Sequence, residues 1–126
     1  MANLDNGVIL GALGSTFTNA ADIVYPPTGM VIASIQFLGS GSSTGVGIKP
    51  FLLVAENPAK FINTVEAANN MADALITVDE GGGGSVIEAS TIEFPAGMVI
   101  YGRWTQFQVI NTGTITGGGA ICYFGY

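Results

Sequence analysis

Apolar residues along this chain fall into short runs separated by Gly, Pro, Asn and Ser, the punctuation of strands and tight turns. The runs predict strands at Gly7–Leu13, Met30–Leu38, Gly47–Ala55, Ser85–Glu88, Met98–Arg103, Thr105–Ile110 and Ala120–Phe124. In Thr105–Ile110, Phe107 and Val109 alternate with Gln106 and Gln108, the period of a strand with one wet face. Met30–Phe37 is apolar almost throughout, which predicts burial on both faces. Gly47–Ala55 contains Pro50, which cannot donate to a ladder and marks a bent or edge strand.

One pattern occurs twice. Pro27-Thr-Gly-Met-Val-Ile32 and Pro95-Ala-Gly-Met-Val-Ile100 share P-x-G-M-V-I, and Gln-Phe follows at Gln36-Phe37 and again at Gln106-Phe107. Each copy reads as a type I turn, with Pro at the second position and Gly at the fourth, that launches a core strand. Two equivalent strands in facing sheets are the expected arrangement.

Residues 57 to 75 break the β pattern. Asn57 is a helix cap with Pro58 at the first helical position, and Phe61, Val65, Ala68, Ala72 and Leu75 fall on one helical face, so one short helix is expected within 58–75. Asn63, Thr64, Asn69 and Asn70 oppose it, and the alternative is a long loop folded over the sheets. Glu80-Gly-Gly-Gly-Gly-Ser85 reads as a loop between strands, although it matches the repeat of synthetic linkers. The expectation is one domain over residues 1–126, an all-β, jelly-roll-like β-sandwich.

Composition narrows the function. Charged residues make up 10% of the chain and apolar ones 48%, against about 25% charged in ordinary soluble domains. A surface so short of charge leaves apolar patches to be covered by a partner, so an oligomer is expected. Net charge is −6 and the basic residues are only Lys49, Lys60 and Arg103, which argues against nucleic acid as a partner. The opening MANLDNGVILGALG lacks the basic leader and small-residue cleavage site of a signal peptide. No run reaches the ~18 apolar residues of a membrane helix, so no membrane partner is expected either.

Most site chemistry is excluded by residue type. With no His and a single Cys, Cys122, zinc, copper and non-haem iron lose their usual ligands and every triad with a His base is absent. Gly39-Ser-Gly-Ser-Ser-Thr-Gly45 is neither a dinucleotide fingerprint nor a P-loop, because a strand follows it, not a helix, and Pro50 stands after Lys49. Asp79, Glu80, Glu56, Glu66, Glu88 and Glu93 read as solvated carboxylates near loops and strand ends. No catalytic residue, cofactor or metal is expected.

KFINT at Lys60–Thr64 and FPAGMVIYGRW at Phe94–Trp104, followed by ICYFGY, resemble small β-proteins encoded among the structural genes of tailed bacteriophages, particularly marine ones. The resemblance implies a non-enzymatic virion protein made in the host cytoplasm and placed on the capsid surface. A decoration or cement protein fits it best, with a tail or fibre component as the alternative. Its partners would be itself, a trimer being favoured, and the major capsid protein. The Pro-x-Gly turn and strand are also similar to those of cupin-type jelly rolls, without the metal-binding histidines. A chain at −6 on an acidic shell would attach through apolar and backbone contacts instead of complementary charge.

Within FPAGMVIYGRW, strand alternation puts Val99, Tyr101 and Arg103 on one face and Met98, Ile100 and Trp104 on the other. Arg103 and Trp104 therefore point apart. Trp104 is expected in the core or at a subunit interface, and Arg103 is expected to pair with a carboxylate of its own chain or a neighbour's. Arg103, Trp104, Tyr101, Lys49 and Phe61 are the candidate partner-contacting residues. A glycan-binding sandwich stays open as a second reading, with Trp104 or Tyr101 as the aromatic platform and Gln106, Gln108 and Asn111 as hydrogen-bonding groups.

Overall fold

The computed structural model describes residues 13–39, 47–58, 60–64, 86–88 and 91–126. They form β1 (Ser15–Thr18), β2 (Val31–Gly39), β3 (Gly47–Ile48), β4 (Leu52–Ala55), β5 (Phe94–Pro95), β6 (Val99–Gln108) and β7 (Gly118–Gly125). One antiparallel sheet has five strands in the order β1-β7-β2-β6-β4, and a second pairs β3 with β5. The fold is all-β, and its two sheets are those of a β-sandwich. The last strand lies between the first and second, so β7 has no free edge.

The two sheets meet through aromatic rings. Phe94 from β5 stands edge-on to Phe37 of β2 with ring centroids 4.8 Å apart, and Phe107 of β6 meets Phe37 from another side at 6.2 Å. Ile32, Ile35, Ile48, Leu53, Trp104, Ala120 and Cys122 fill the rest of this core. Gly47 has to be glycine: a Cβ there would lie 2.2 Å from the Phe94 carbonyl oxygen, so any side chain would force β3 off β5.

Both P-x-G-M-V-I copies are tight turns, of a type other than expected. The Met30 and Met98 N–H groups donate to the Pro27 and Pro95 carbonyls at 3.0 and 3.1 Å. Pro is therefore the first turn residue and Gly the third, with φ of 84° at Gly29 and 86° at Gly97. A positive φ at the third position defines a type II turn, which is why glycine recurs there. The strands the turns launch, β2 and β6, do not face each other across the core. They are hydrogen-bonded neighbours in one sheet, with Ile35 opposite Ile100 and Gln36 opposite Val99. The turn at Pro95 closes against β2 through Gly97 N donating to Phe37 O at 2.6 Å.

The expected strands at Met98–Arg103 and Thr105–Ile110 are one strand. Val54 pairs with Gln106 while Ala55 pairs with Trp104, which leaves Thr105 unmatched as a bulge. A bulge shifts the period of two by one residue, so the buried positions run Ile100, Trp104, then Phe107 and Val109. Gly47–Ala55 divides at Pro50 into β3 and β4, which belong to different sheets. Ser15–Thr18 and Phe94–Pro95 were not foreseen as strands. Gly7–Ala12, the Gly39–Gly45 loop beyond Gly39, and the Gly81–Gly84 run lie outside the described residues.

Over 58–64 the expected helix is reduced to one turn, in which Lys60 and Phe61 N–H both donate to the Asn57 carbonyl. Residues 65–75 lie outside the described part. At 63–64 the chain is not helical, because Asn63 and Thr64 serve β4. The Asn63 Oδ1 accepts from Ala55 N at 2.7 Å and the Thr64 Oγ1 from Leu53 N at 2.9 Å. Both side chains are buried, and together they satisfy the edge that β6 does not. Ile87, from the expected Ser85–Glu88 strand, makes a single parallel bridge to Thr64.

Candidate functional site

The larger sheet has two faces of different use. Inward side chains such as Ile35, Ile100 and Cys122 lie in one cross-strand row and are buried in the core. The rows between them point away from the core. One runs Ser15, Tyr123, Ser34, Tyr101, and the next runs Phe17, Ile121, Gln36, Val99, each crossing β1, β7, β2 and β6. A sheet face turned to water normally carries polar side chains. Here most of the positions are aromatic or branched apolar, and Tyr101 and Phe17 are 73% and 54% exposed.

Phe17 also has a local task. A Cβ on Gly119 would come within 2.9 Å of its ring, so the ring lies over a bare stretch of β7 backbone, an aromatic covering a strand glycine. The same device recurs on the core side, where the Trp104 ring lies over Gly102 and a Cβ at Gly102 would be 2.7 Å from Cζ2.

At one end of the outward face sits the Arg103 cluster. Its Nε and Nη2 donate to the two carboxylate oxygens of Glu56 at 2.7 and 3.2 Å, and its Nη1 donates to the Tyr126 backbone oxygen at 2.8 Å. The forked guanidinium thus ties the ends of β4 and β7 to β6, a geometry that lysine could not reproduce. Glu56 N donates to Arg103 O at 2.8 Å, which fixes the carboxylate's backbone beside its partner. The hydrogen bonds from Arg103, and after them its charge, hold the Glu56 carboxyl below the usual carboxylate range. The same bonds raise Arg103. Both side chains are about two-fifths exposed, so water screens the pair and its contribution to stability is small. Arg103 therefore finds its carboxylate within its own chain.

Trp104 occupies the core, fully buried, and its indole Nε1 donates to the Ile62 carbonyl at 2.9 Å. This bond joins KFINT to FPAGMVIYGRW. Trp104 is out of reach of a sugar or a partner chain, so of the two aromatic platforms Tyr101 alone is exposed. Phe61 is half-buried against the core, and Lys49 is exposed between β3 and β4. The structure thus brings Tyr101 and Arg103 together on the outward face, turns Trp104 and Phe61 to the core, and leaves Lys49 apart from both. Of the expected glycan-binding amides, Gln108 donates its Nε2 to the Ala21 carbonyl at 2.7 Å.

Sequence reasoning missed Phe17, Ile121 and Tyr123. Their alternation with Thr16, Cys122 and Phe124 is visible in the sequence, but which phase faces the core depends on register. Cys122 is a buried thiol whose pKa burial pushes up to about 12, which leaves it protonated and unreactive. Among the described residues no group of His, Cys, Asp or Glu is placed to hold a metal ion, and no helix is long and apolar enough to cross a membrane.

Comparison with protein-family models, curated proteins and solved structures finds no match for this chain. Function is therefore read from the arrangement of these residues.

Proposed function

We propose that this chain is a non-enzymatic structural protein of a virion, a capsid decoration or cement protein that acts by self-association and by contact with the major capsid protein. The observation that carries the reading is the outward face of the larger sheet, where Phe17 of β1, Ile121 and Tyr123 of β7, and Val99 and Tyr101 of β6 flank Gln36 and the buried Ser34 of β2, with no charged side chain in these two rows. An exposed apolar face on a body of two packed sheets serves attachment, not turnover. Anchoring of the β4 and β7 ends by Arg103 and the buried Asn63–Thr64 edge cap suit a part that has to resist peeling.

The experiment is protein mass spectrometry of density-banded phage particles. Presence of the chain at a fixed ratio to the major capsid protein supports the proposal, and absence from purified particles refutes it. Glycan binding remains as a second reading on the strength of Tyr101, whose exposed ring is the accessible aromatic platform. Tyrosine fluorescence and array binding that respond to no sugar would remove it.

A further inference from the structure

We propose that residues 61–64 are an inhibitory guard on the outer edge of β4, keeping closed a site at which a second copy of this chain would otherwise add its own β4 as a strand. The proposal does not rest on the virion reading and holds whatever the chain attaches to.

Strand β4 carries the kind of sequence that a sheet edge tolerates least. It ends the five-stranded sheet, and Phe51-Leu-Leu-Val-Ala55 contains no charge, no Pro and no Gly. Folded proteins blunt such an edge with Lys, an inward charge, Pro or a bulge in the edge strand. The bulge here is on the β6 side, at Thr105, so β4 itself stays regular. Toward β6, Phe51 N and Glu56 N donate to Gln108 O and Arg103 O. Leu53 and Ala55 aim their N–H groups the other way, to the outer edge. An apolar, uncharged strand with two outward N–H groups is a template for pairing.

Side chains take both of those N–H groups. Thr64 Oγ1 accepts from Leu53 N at 2.9 Å and Asn63 Oδ1 accepts from Ala55 N at 2.7 Å, while Thr64 N donates to Leu53 O at 3.1 Å. A side-chain oxygen satisfies a donor without presenting a further row of backbone groups, whereas a full strand in the same place would become a new edge. The Asn63 carbonyl is consumed as well, by Ile87 N at 2.8 Å. Trp104 pins the segment from the core, its Nε1 donating to Ile62 O at 2.9 Å. Asn63 and Thr64 are both buried, so an incoming strand meets β4 only when they leave it.

Register identifies what the guard keeps out. A twofold axis through Val54 sets Leu53 of each copy opposite Ala55 of the other, a hydrogen-bonded antiparallel pair formed twice. The donors in those pairs are the Leu53 and Ala55 N–H groups, the same ones that Thr64 and Asn63 hold. Guard and second copy therefore exclude each other. Residues 51–55 are uncharged although the chain carries −6, so within this strand no like charges oppose the meeting of two copies. The product joins two five-stranded sheets edge to edge.

Sedimentation velocity of the full chain over a concentration series tests this, with the wild type as baseline. Thr64→Val and Asn63→Leu each remove one acceptor at nearly constant size, and each should strengthen self-association at least about tenfold. Thr64→Ser keeps the hydroxyl and should match the wild type within about twofold. Gly102→Ala, which crowds the core and leaves the guard intact, should match it too. Hydrogen exchange locates the contact: in Thr64→Val the Ala55 and Leu53 amides should gain protection as protein concentration rises, and in the wild type their exchange should not depend on concentration. Association of both acceptor-deleted variants no stronger than that of the wild type overturns the proposal. Equal association by Gly102→Ala or Thr64→Ser overturns it too, as does association that leaves these amides unprotected. If one acceptor-deleted variant does not fold, the other decides the outcome, and if neither folds the segment is a foundation of the fold and the guard role is refuted.

Discussion

Gly102→Ala places one methyl group against the buried Trp104 ring, and its cost follows from distances. The new Cβ would lie 2.7 Å from Cζ2, 2.8 Å from Cη2 and 3.2 Å from Cε2, where carbon atoms rest at about 3.5–4.0 Å. The ring has to retreat by nearly 1 Å, and it is fully buried. Overpacking of this kind costs about 1–3 kcal/mol. A retreat of that size also stretches the 2.9 Å bond from Nε1 to Ile62 O beyond hydrogen-bonding range, at about 1 kcal/mol more. Loss of unfolded-state freedom on replacing glycine returns about 0.4–1 kcal/mol. The net expectation is a loss of about 1–3.5 kcal/mol, read from urea unfolding followed by the fluorescence of the sole tryptophan, with a red shift of the native emission. Trp104→Phe supplies the control, since a smaller ring leaves room for the methyl. In that background Gly102→Ala should cost at least ~1 kcal/mol less, a coupling that a double-mutant cycle resolves. A neutral Gly102→Ala, or an equal cost in both backgrounds, would show that the ring does not hold this position.

Thr64→Val preserves shape but removes the acceptor for Leu53 N, and the buried orphan should cost about 1–3 kcal/mol by denaturant unfolding; a cost near zero would mean that the β4 edge is satisfied otherwise. Gly29→Ala and Gly97→Ala meet no neighbouring atom and differ from the native chain only through φ of 84° and 86°, so each should cost about 1–2 kcal/mol, equal within error and insensitive to Trp104→Phe. Glu56 is held low in the folded state by Arg103, so its contribution is present above the unfolded carboxylate range and is lost as pH falls through the folded value. Arg103→Ala should therefore raise the Glu56 midpoint in an NMR titration and flatten the acid limb of the stability curve, an effect that high salt reduces in the wild type; an unmoved midpoint would refute the pairing.

The fold class was legible because runs of Val, Ile, Phe and Tyr between Gly and Pro can bury themselves only as strands in packed sheets. The details that failed share one physical cause: they depend on register. The bulge at Thr105 shifts the alternation by one residue, so a single strand reads as two. Pro-x-Gly announces a turn, but whether Pro is first or second in it depends on which N–H closes the loop. The repeated P-x-G-M-V-I gave the right two strands and the wrong relation between them, because antiparallel neighbours and facing strands present the same apolar pattern. Asn57 opens one turn, after which Asn63 and Thr64 bond to β4, and residues 65–75 of the expected helix lie outside the described part.

The candidate site was legible in part. The opposite orientation of Arg103 and Trp104 follows from alternation alone, and Arg103 as a fork onto a carboxylate follows from its chemistry. That the carboxylate is Glu56 required the two strand ends to be brought side by side. The outward rows were hidden because Phe17 lies in no strand the sequence predicts, and the sequence does not say which phase of Ala120–Phe124 faces the core until β7 is set against β1 and β2.

The central claim, a virion part that holds a capsid together, is tested most directly by adding the purified chain back to capsids that lack it. The account predicts saturable binding at a fixed ratio to the capsid protein, with a rise in the temperature or a fall in the salt sensitivity of capsid rupture. Capsids that bind none of the chain, with rupture unchanged, would contradict it.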